Sequence, residues 1–199
     1  MGEITICEKP EWVTFDDIHS LLYIAHASNR EIGFNVKTAE MSGNELRDHL
    51  GSTGKCFVAL DGDKLVGTKS YRIIDRDYWC AHGKVVDRVL EAVLPEYRGQ
   101  HISTRLSEAI FADISSKGYQ FIEVRTAEDN KIQQKACIKE GFRYLDFKAF
   151  SGLDHYTIVM MKWLPNYPYS ERRINLYFTM RRFLVKLRYK KGKIKRFGI

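Results

Sequence analysis

An Asp-Gly turn between two strand patterns is the feature that most constrains how this chain can fold. The apolar run 56–60 precedes Asp61-Gly62-Asp63, and a second strand pattern follows over 65–74. An Asp-Gly pair between two such runs is the strongest short-range signal for a β-hairpin, since these residues accept the positive φ angles of a tight turn. The chain is therefore predicted to contain an antiparallel pair of strands at its centre.

Further strands and helices are predicted on both sides of this hairpin from apolar periodicity and from cap and turn residues. Strands are predicted over 3–7, 85–94 and 119–125, and near 142–150 and 155–163. Helices are predicted over 14–30, 42–50, 103–117 and 130–140. The order β-α-α-β-β-β-α-β-α-β-β predicts an α/β (α+β) fold, a mixed sheet with helices on its faces.

The positive charge of the chain is concentrated at its C-terminal end. The 199 residues carry a net charge of +7, but residues 171–199 hold eleven Lys and Arg and one acid. The rest of the chain is therefore mildly acidic. A chain of this length supports one core, so we expect one domain over 1–165, followed by a linker and a basic tail over 166–199.

The cysteines and the N-terminus indicate the compartment. The four cysteines are irregularly spaced and form no C-x-x-C pair, which favours free thiols in a reducing cytosol and gives no indication of a metal site. The N-terminus shows no basic segment followed by an apolar run, and no stretch has the length needed to cross a bilayer. We expect a cytoplasmic location.

The segment 92–106 passes from a strand through a tight loop into a helix. Such a loop directs several backbone N–H groups toward one point, and the positive end of the helix dipole adds to them. This arrangement predicts an anion site that suits a pyrophosphate, although a purely structural turn would have a similar sequence.

Two motifs resemble the paired signatures of GNAT acetyltransferases. Residues 93–99 read Val-Leu-Pro-Glu-Tyr-Arg-Gly, and Asn130, Lys139, Gly141 and Phe142 match the second signature about thirty residues later. The resemblance implies a GNAT-type, mostly antiparallel sheet of about seven strands flanked by about four helices, with the basic helical tail as an addition. It also implies acetyl-CoA as co-substrate and no metal.

In that family the loop Arg/Gln-x-x-Gly-x-Gly/Ala holds the pyrophosphate of coenzyme A through main-chain amides. Here Arg98 matches, whereas His101 and Ser103 occupy the two small positions. We expect φ at His101 to stay negative, and Ser103 to cap the following helix. The residues that the resemblance assigns to the coenzyme are Val93, Leu94, Arg98, Gly99, Gln100, His101, Ile102, Ser103, Thr104 and Asn130.

The resemblance also suggests where the proton-transfer groups lie. The family's leaving-group acid is a tyrosine, and Cys137 stands at its position. A thiol can protonate a thiolate of similar basicity, but a small buried filler is the alternative. Cys137 is therefore a candidate proton donor.

A general base is expected on the strand before the loop. Regular alternation over 85–94 places Asp87, Val89, Glu91 and Val93 on one face, and Val86, Arg88, Leu90 and Ala92 on the other. Glu91 lies near the strand end where the family binds the thioester, so it is the candidate base, with a structural carboxylate or a water chain as alternatives. A backbone N–H at Val93 or Leu94 is expected to polarise the carbonyl.

The implied function is an acetyl-CoA-dependent N-acetyltransferase acting by direct attack of a primary amine. We expect a small-molecule acceptor of the amino sugar or amino acid type, with Asn29, Phe34 and Tyr71 as candidate lining residues. A non-catalytic acyl-CoA-binding sensor and a membrane-recruited interaction protein are the alternatives.

The tail carries a helical apolar pattern. Leu176, Tyr177, Met180, Phe183, Leu184 and Leu187 recur at helical spacing, with basic residues largely opposite. A basic amphipathic helix suits the anionic inner face of a membrane. The alternative is a helix docked on its own domain or in a homodimer with a solvated basic face, whereas nucleic acid is disfavoured because no reading motif is present.

Overall fold

A computed structural model describes residues 3–31, 36–119, 121–150, 155–164 and 169–189. The chain forms two compact units, Met1–Tyr119 and Gln120–Ile199. Within the described residues there are seven strands and six α-helices. The predicted division into a domain over 1–165 and a tail over 166–199 stays a prediction.

The first unit contains four antiparallel strands in the order β1-β2-β3-β4. They are β1 (Ile4–Glu8), β2 (Lys55–Asp61), β3 (Lys64–Tyr78) and β4 (Ala81–Val93). The predicted hairpin is confirmed, because Asp61 pairs with Lys64 and Gly62 turns with a φ of 58°. Strands β3 and β4 continue well beyond β2 as a long second hairpin.

Four helices belong to this unit: α1 (Phe15–Ala25), α2 (Ala27–Glu31), α3 (Gly43–Leu50) and α4 (Ile102–Ser116). The prediction of one helix over 14–30 is wrong, because the chain leaves helical geometry at His26. Thr14 and Ser42 begin α1 and α3 with capping boxes. The helix predicted over 103–117 is confirmed as α4, and the apolar stripe on which that prediction depends, formed by Leu106, Ile110 and Ile114, is fully buried.

The second unit contains β5 (Phe121–Ala127), β6 (Arg143–Ala149) and β7 (Tyr156–Trp163), all antiparallel in the order β5-β7-β6. Its helices are α5 (Lys131–Lys139) and α6 (Glu171–Arg188). Asn130 caps α5 and Ser170 caps α6. Seven strands in antiparallel pairs with flanking helices confirm the predicted fold class.

Helix α6 docks on β6 with the face that the sequence pattern indicated as solvated. Arg181 pairs with Asp146, and Arg182 and Lys186 pair with Glu128. Phe178 stacks on Tyr144. The expected solvated basic face is therefore wrong for these three cations, because this side of the unit offers carboxylates and aromatic rings as partners.

The predicted apolar stripe instead lies outward, with Leu176, Met180, Phe183, Leu184 and Leu187 exposed. The basic run 190–196 lies outside the described residues. Neither α6 nor any other described helix has the combination of length and apolar character that a membrane crossing requires.

Candidate functional site

A β-bulge interrupts β4 just before the predicted anion loop. Ser70 pairs with Val89 and Thr68 pairs with Ala92, so two residues of β4, Leu90 and Glu91, oppose the single residue Lys69. Leu90 adopts a φ of 52°. This conformation costs a non-glycine residue about 1–2 kcal/mol, and such strain concentrates at functional sites.

The bulge changes which side chains share a face of the strand. Glu91 Oε1 accepts from Arg88 Nε at 2.6 Å, whereas Asp87 points to the other face and accepts from Arg72 Nε at 2.9 Å. The prediction that Glu91 shares a face with Asp87, opposite Arg88, is therefore wrong. Regular alternation fails because the extra residue shifts the two-residue period.

A buried lysine connects this strand to α4. Lys69 is 2% exposed, and its Nζ donates to the carbonyl oxygen of Ser103 at 3.0 Å, to the Ser103 hydroxyl at 3.0 Å and to Ser107 Oγ at 2.7 Å. The same Nζ lies 3.5 Å from Glu91 Oε2. Both oxygens of the Glu91 carboxylate are thus held by cations, Arg88 on one and Lys69 on the other.

The backbone of Glu91 is held from the opposite side by α1. His26 Nε2 lies 3.2 Å from the carbonyl oxygen of Glu91, and Asn29 Nδ2 lies 3.0 Å from His26 Nδ1. Because the Asn29 amide nitrogen can only donate, the hydrogen-bond network assigns the proton to His26 Nε2. Burial lowers the pKa of His26, which favours the neutral ring that this arrangement requires.

The loop between β4 and α4 turns through two residues with positive φ. Gly99 has a φ of 79° and His101 a φ of 58°. The expectation of a negative φ at His101 is therefore wrong. The expected Ser103 cap is also wrong, because His101 is the N-cap residue and Ser103, in the first turn, accepts from Lys69 instead.

The N-terminus of α4 is well suited to an anion. Among the described helices of eight residues or more, α4 is the one whose N-cap makes no side-chain hydrogen bond. The N–H groups of Ile102, Ser103 and Thr104 have no partner within a regular helix, and the first turn carries no acid. This end of α4 fits the negative charge of a pyrophosphate.

The close approach of α4 to the sheet depends on a glycine. A Cβ added at Gly67 on β3 would lie 3.2 Å from Ile102 Cγ2 and 3.3 Å from Ala59 Cβ. A side chain at this position would therefore push the first turn of α4 outward, since real Cβ contacts are rarely so short.

Arg98 supports the loop rather than extending from it. Its Nη2 donates to the carbonyl oxygen of Ala25 at 2.7 Å, and its Nε lies 3.3 Å from the carbonyl oxygen of Val93. Ala25 ends α1, where carbonyl groups lack helical partners. The guanidinium thus joins the end of α1 to the loop, and this leaves anion contact to the backbone amides.

The two candidate amides at the end of β4 differ in their surroundings. Leu94 N–H donates to the carbonyl oxygen of Val66 at 2.9 Å, so it is already used within the sheet. The N–H of Val93, one residue earlier, points away from β3 because N–H directions alternate along a strand. Of the two, Val93 is therefore the residue whose amide fits the expected role.

The second unit holds the two remaining predicted residues. Asn130 Oδ1 accepts from Gln133 N at 3.1 Å and so caps α5. Cys137 is fully buried on α5, with Gln133 Nε2 3.8 Å from its sulfur. Its role as a proton donor stays a prediction, and burial equally fits the packing alternative. No cluster of three or more candidate metal ligands occurs in the described part of the chain.

The candidate acceptor residues have different surroundings. Tyr71 is buried, and its hydroxyl donates to Asp113 and accepts from Lys117 Nζ, which anchors α4 on β3. Asn29 orients His26. Phe34 lies outside the described residues. Contact between any of these residues and a substrate stays a prediction.

Sequence reasoning missed the roles of Lys69, Arg88 and His26. A signal for Lys69 was present, because a lysine inside the strand pattern 65–74 shares its face with Gly67 and Tyr71. A lysine on a face that is otherwise buried requires a partner, because lysine is almost never fully buried unless it is paired.

Comparisons with known proteins agree with this fold. The sequence model of the acetyltransferase (GNAT) family matches residues 17–142. The structure is similar to that of ribosomal-protein-S18-alanine N-acetyltransferase from Escherichia coli, with a TM-score of 0.64 at 14% identity, covering 84% of this chain and 98% of that chain. A search of the curated proteins finds no match.

Two further structures extend this likeness. One is aminoglycoside 6'-acetyltransferase type Ii, with a TM-score of 0.60 at 22% identity, covering 82% of this chain and 99% of that chain. The other is a GNAT family acetyltransferase from Elizabethkingia anophelis with acetyl-CoA bound. Its TM-score is 0.58 at 16% identity, and the match covers 82% of this chain and 100% of that chain. At these identities the likeness concerns the fold.

The fold, with its strand, loop and helix N-terminus, is that of the acetyltransferase class. The chain belongs to the GNAT family, whose model covers well over half of it.

Proposed function

We propose that this protein is an acetyl-CoA-dependent N-acetyltransferase that acetylates a primary amine of a cytoplasmic small molecule by direct attack. The observation that carries the proposal is the uncapped N-terminus of α4, which follows a loop whose backbone turns at Gly99 and His101. That end of the helix leaves a group of N–H donors for an anionic ligand.

The coenzyme fits the residues that are present. The N–H groups of the loop and of the first turn of α4 would hold the pyrophosphate, because those of the first turn lack helical partners and lie at the positive end of the helix dipole. Arg98 and Lys69 stabilise this loop through backbone carbonyls of Ala25, Val93 and Ser103. When bound, acetyl-CoA supplies the thioester from which the acetyl group is transferred.

The pairing of the Leu94 N–H with Val66 supports the proposed role of Val93. Its N–H, directed away from β3, would donate to the carbonyl oxygen of the acetyl group and stabilise the negative charge that develops there. A fixed backbone dipole is effective because it needs no reorganisation during the reaction.

The attacking amine must be neutral, so its ammonium form must lose a proton. Glu91 is the proposed base, with its side chain 18% exposed. To act directly, its carboxylate must exchange part of its contact with Arg88 or Lys69 for the amine or for an intervening water. A water chain that starts at this carboxylate is the competing route. Cys137 is the proposed proton donor to the departing thiolate, with solvent as its alternative.

We propose an acceptor of the amino sugar or amino acid type. The similar structures include enzymes named for a ribosomal-protein alanine and for aminoglycosides, so this fold serves chemically different acceptors. The proposed acceptor class includes the acceptors for which the aminoglycoside enzyme is named, and a direct screen must test it.

The test has two parts on the full chain. Calorimetry with acetyl-CoA should give saturable binding, and absence of binding would overturn the proposal. A screen for free-thiol release should then compare amino sugars, amino acids, polyamines and peptides, with an omitted-amine reaction as control. Turnover with an amino sugar or amino acid supports the proposed acceptor class, whereas turnover with peptides alone contradicts it.

A non-catalytic acyl-CoA sensor is the second candidate function. The observation that favours it is the double pairing of the Glu91 carboxylate, which is an arrangement typical of structural carboxylates. Tight acetyl-CoA binding with no thiol release across the whole panel would favour the sensor over the enzyme.

A further inference from the structure

The outer face of α6 is an unusually large apolar surface on one helix. We use this name for Leu176, Met180, Phe183, Leu184 and Leu187, which are between 52% and 66% exposed. Their spacing of four, three, one and three residues places them on one stripe. A contiguous stripe of large exposed side chains marks an interaction surface, whereas single exposed apolar residues do not.

Helix α6 is held with its outer face toward solvent because its opposite face packs against the second unit. Ile174 and Val185 are buried at 1% and 7% exposure. Arg181 lies 2.9 Å from Asp146, and Arg182 lies 2.6 Å from Glu128. Rotating the helix to bury its outer face would break these ion pairs and leave carboxylates without counterions, which is costly.

Charge at the two ends of the outer face indicates what could cover it. Arg172 and Arg173 lie in the first turn of α6, and Arg188 is its last residue; in the sequence, Lys190 and Lys191 follow after Tyr189. Three of the six cations that the structure describes in 171–189 pair with Asp146 and Glu128, and the sequence adds five more cations in 190–199. An apolar stripe with basic residues at both ends complements an anionic lipid surface.

A second copy of the chain fits this face less well. Pairing two outer faces would bring basic ends together in either orientation, since both ends of α6 carry arginines or lysines. Like charges in such an interface are repulsive. An 18-residue helix is about 27 Å long, which is enough for it to lie in the plane of a bilayer.

We propose that the outer face of α6 binds the surface of an anionic lipid bilayer, with the helix parallel to the membrane and the basic residues at its ends on the headgroups. The second unit then stays on the aqueous side, because α6 is held to β6 by its opposite face.

The test is co-sedimentation of the full chain with vesicles of phosphatidylcholine alone or of phosphatidylcholine with phosphatidylglycerol. We expect binding to the anionic vesicles that weakens as salt rises, because surface charge is screened. The double variant Phe183→Ser/Leu187→Ser should lower the partition coefficient on the order of 100-fold, since two apolar side chains no longer insert. Ile132→Ser, which changes an apolar side chain of α5 that is 85% exposed, is the matched control and should bind like the native chain.

A charge variant keeps the test decisive if the double variant does not fold. Lys190→Gln/Lys191→Gln should lower binding to anionic vesicles roughly 30-fold, at about 1 kcal/mol for each charge. Equal binding to neutral and anionic vesicles would overturn the proposal, as would no binding to either. A native dimer that the Phe183 and Leu187 changes convert to monomer, without vesicle binding, would instead assign the face to self-association.

Discussion

Lys69 Nζ donates to both the carbonyl oxygen and the hydroxyl of Ser103, each at 3.0 Å, so a buried cation on β3 holds the first turn of α4. Lys69→Met should lower the free energy of unfolding by about 3 kcal/mol, because it leaves buried polar partners unpaired. Acetyl-CoA affinity should fall as well. Chemical denaturation and calorimetry measure the two effects, and Lys64→Met, an exposed change on the same strand, is the control. If the Lys69→Met variant folds and binds acetyl-CoA with native affinity, Lys69 does not support the coenzyme site.

The loop is sensitive to the backbone at Gly99. Gly99→Val forces a β-branched residue to a φ of 79°, and we expect acetyl-CoA affinity to fall well over tenfold, a loss above about 1.4 kcal/mol. Gly62→Val provides a control with a φ of 58° in the β2–β3 turn. It should cost comparable stability but leave affinity unchanged. Equal loss of acetyl-CoA affinity in both variants would mean that Gly99→Val acts through the stability of the whole unit and not through the loop.

Glu91→Gln tests the proposed base. The amide keeps the shape of the side chain but cannot accept the proton, so turnover should fall by roughly two orders of magnitude while coenzyme affinity changes little. Steady-state kinetics from about pH 6 to about pH 9 with calorimetry separates the two readouts. A variant with native rate across this range would assign the role to a water chain, and a large loss of affinity would indicate a structural role beside Lys69.

Cys137→Ser tests the proposed proton donor. We expect a smaller loss of turnover than for Glu91→Gln, because water can protonate a leaving thiolate. Cys56→Ser, at another buried cysteine, controls for the cost of placing a hydroxyl in the core. A loss at Cys137 as large as that of Glu91→Gln, in a protein of native stability, would establish the thiol as essential.

Stability should depend on pH through Glu128. Burial raises the pKa of this carboxyl, but hydrogen bonds from Lys186 and Arg182 outweigh burial and hold the pKa below its ordinary value. A carboxyl with a lowered pKa in the folded state stabilises the protein fully above its unfolded pKa, and the effect is lost as pH falls through the folded value. Thermal unfolding from about pH 6 to about pH 2 should therefore show a smaller pH dependence for Glu128→Gln than for the native chain.

The control for this experiment is Glu11→Gln, a change at an exposed carboxyl in the first unit. It should leave the pH dependence as it is in the native chain. If Glu128→Gln and Glu11→Gln show the same dependence of thermal stability on pH, the ion pairs of α6 with Glu128 contribute nothing measurable to that dependence.

The sequence was sufficient where local rules decide the structure. The hairpin at Gly62, the strand before Pro95 and the stripe of α4 follow from turn chemistry and periodicity, and all three are confirmed. The loop after Pro95 is singled out by the paired motifs at 93–99 and 130–142, not by its position alone, and its role as an anion site stays a prediction.

Two of the failures have the same physical origin, since both depend on partners that are distant in the sequence. The helix break at His26 accompanies a hydrogen bond to the backbone of Glu91, 65 residues away. The outward apolar face of α6 results from carboxylates at Asp146 and Glu128 that attract its cations. Periodicity identifies which residues share a face, but it does not identify what that face meets.

The bulge on β4 also determines what the deletion of one residue from this strand would do. Leu90 is the extra residue, so a chain without it would keep Arg88, Glu91 and Val93 on their present face. What would change is the backbone: the positive φ of Leu90 would be lost, and the carbonyl of Glu91 that accepts from His26 would take a different position. A one-residue deletion at this point would thus preserve the side-chain pattern and alter only the backbone groups offered to α1.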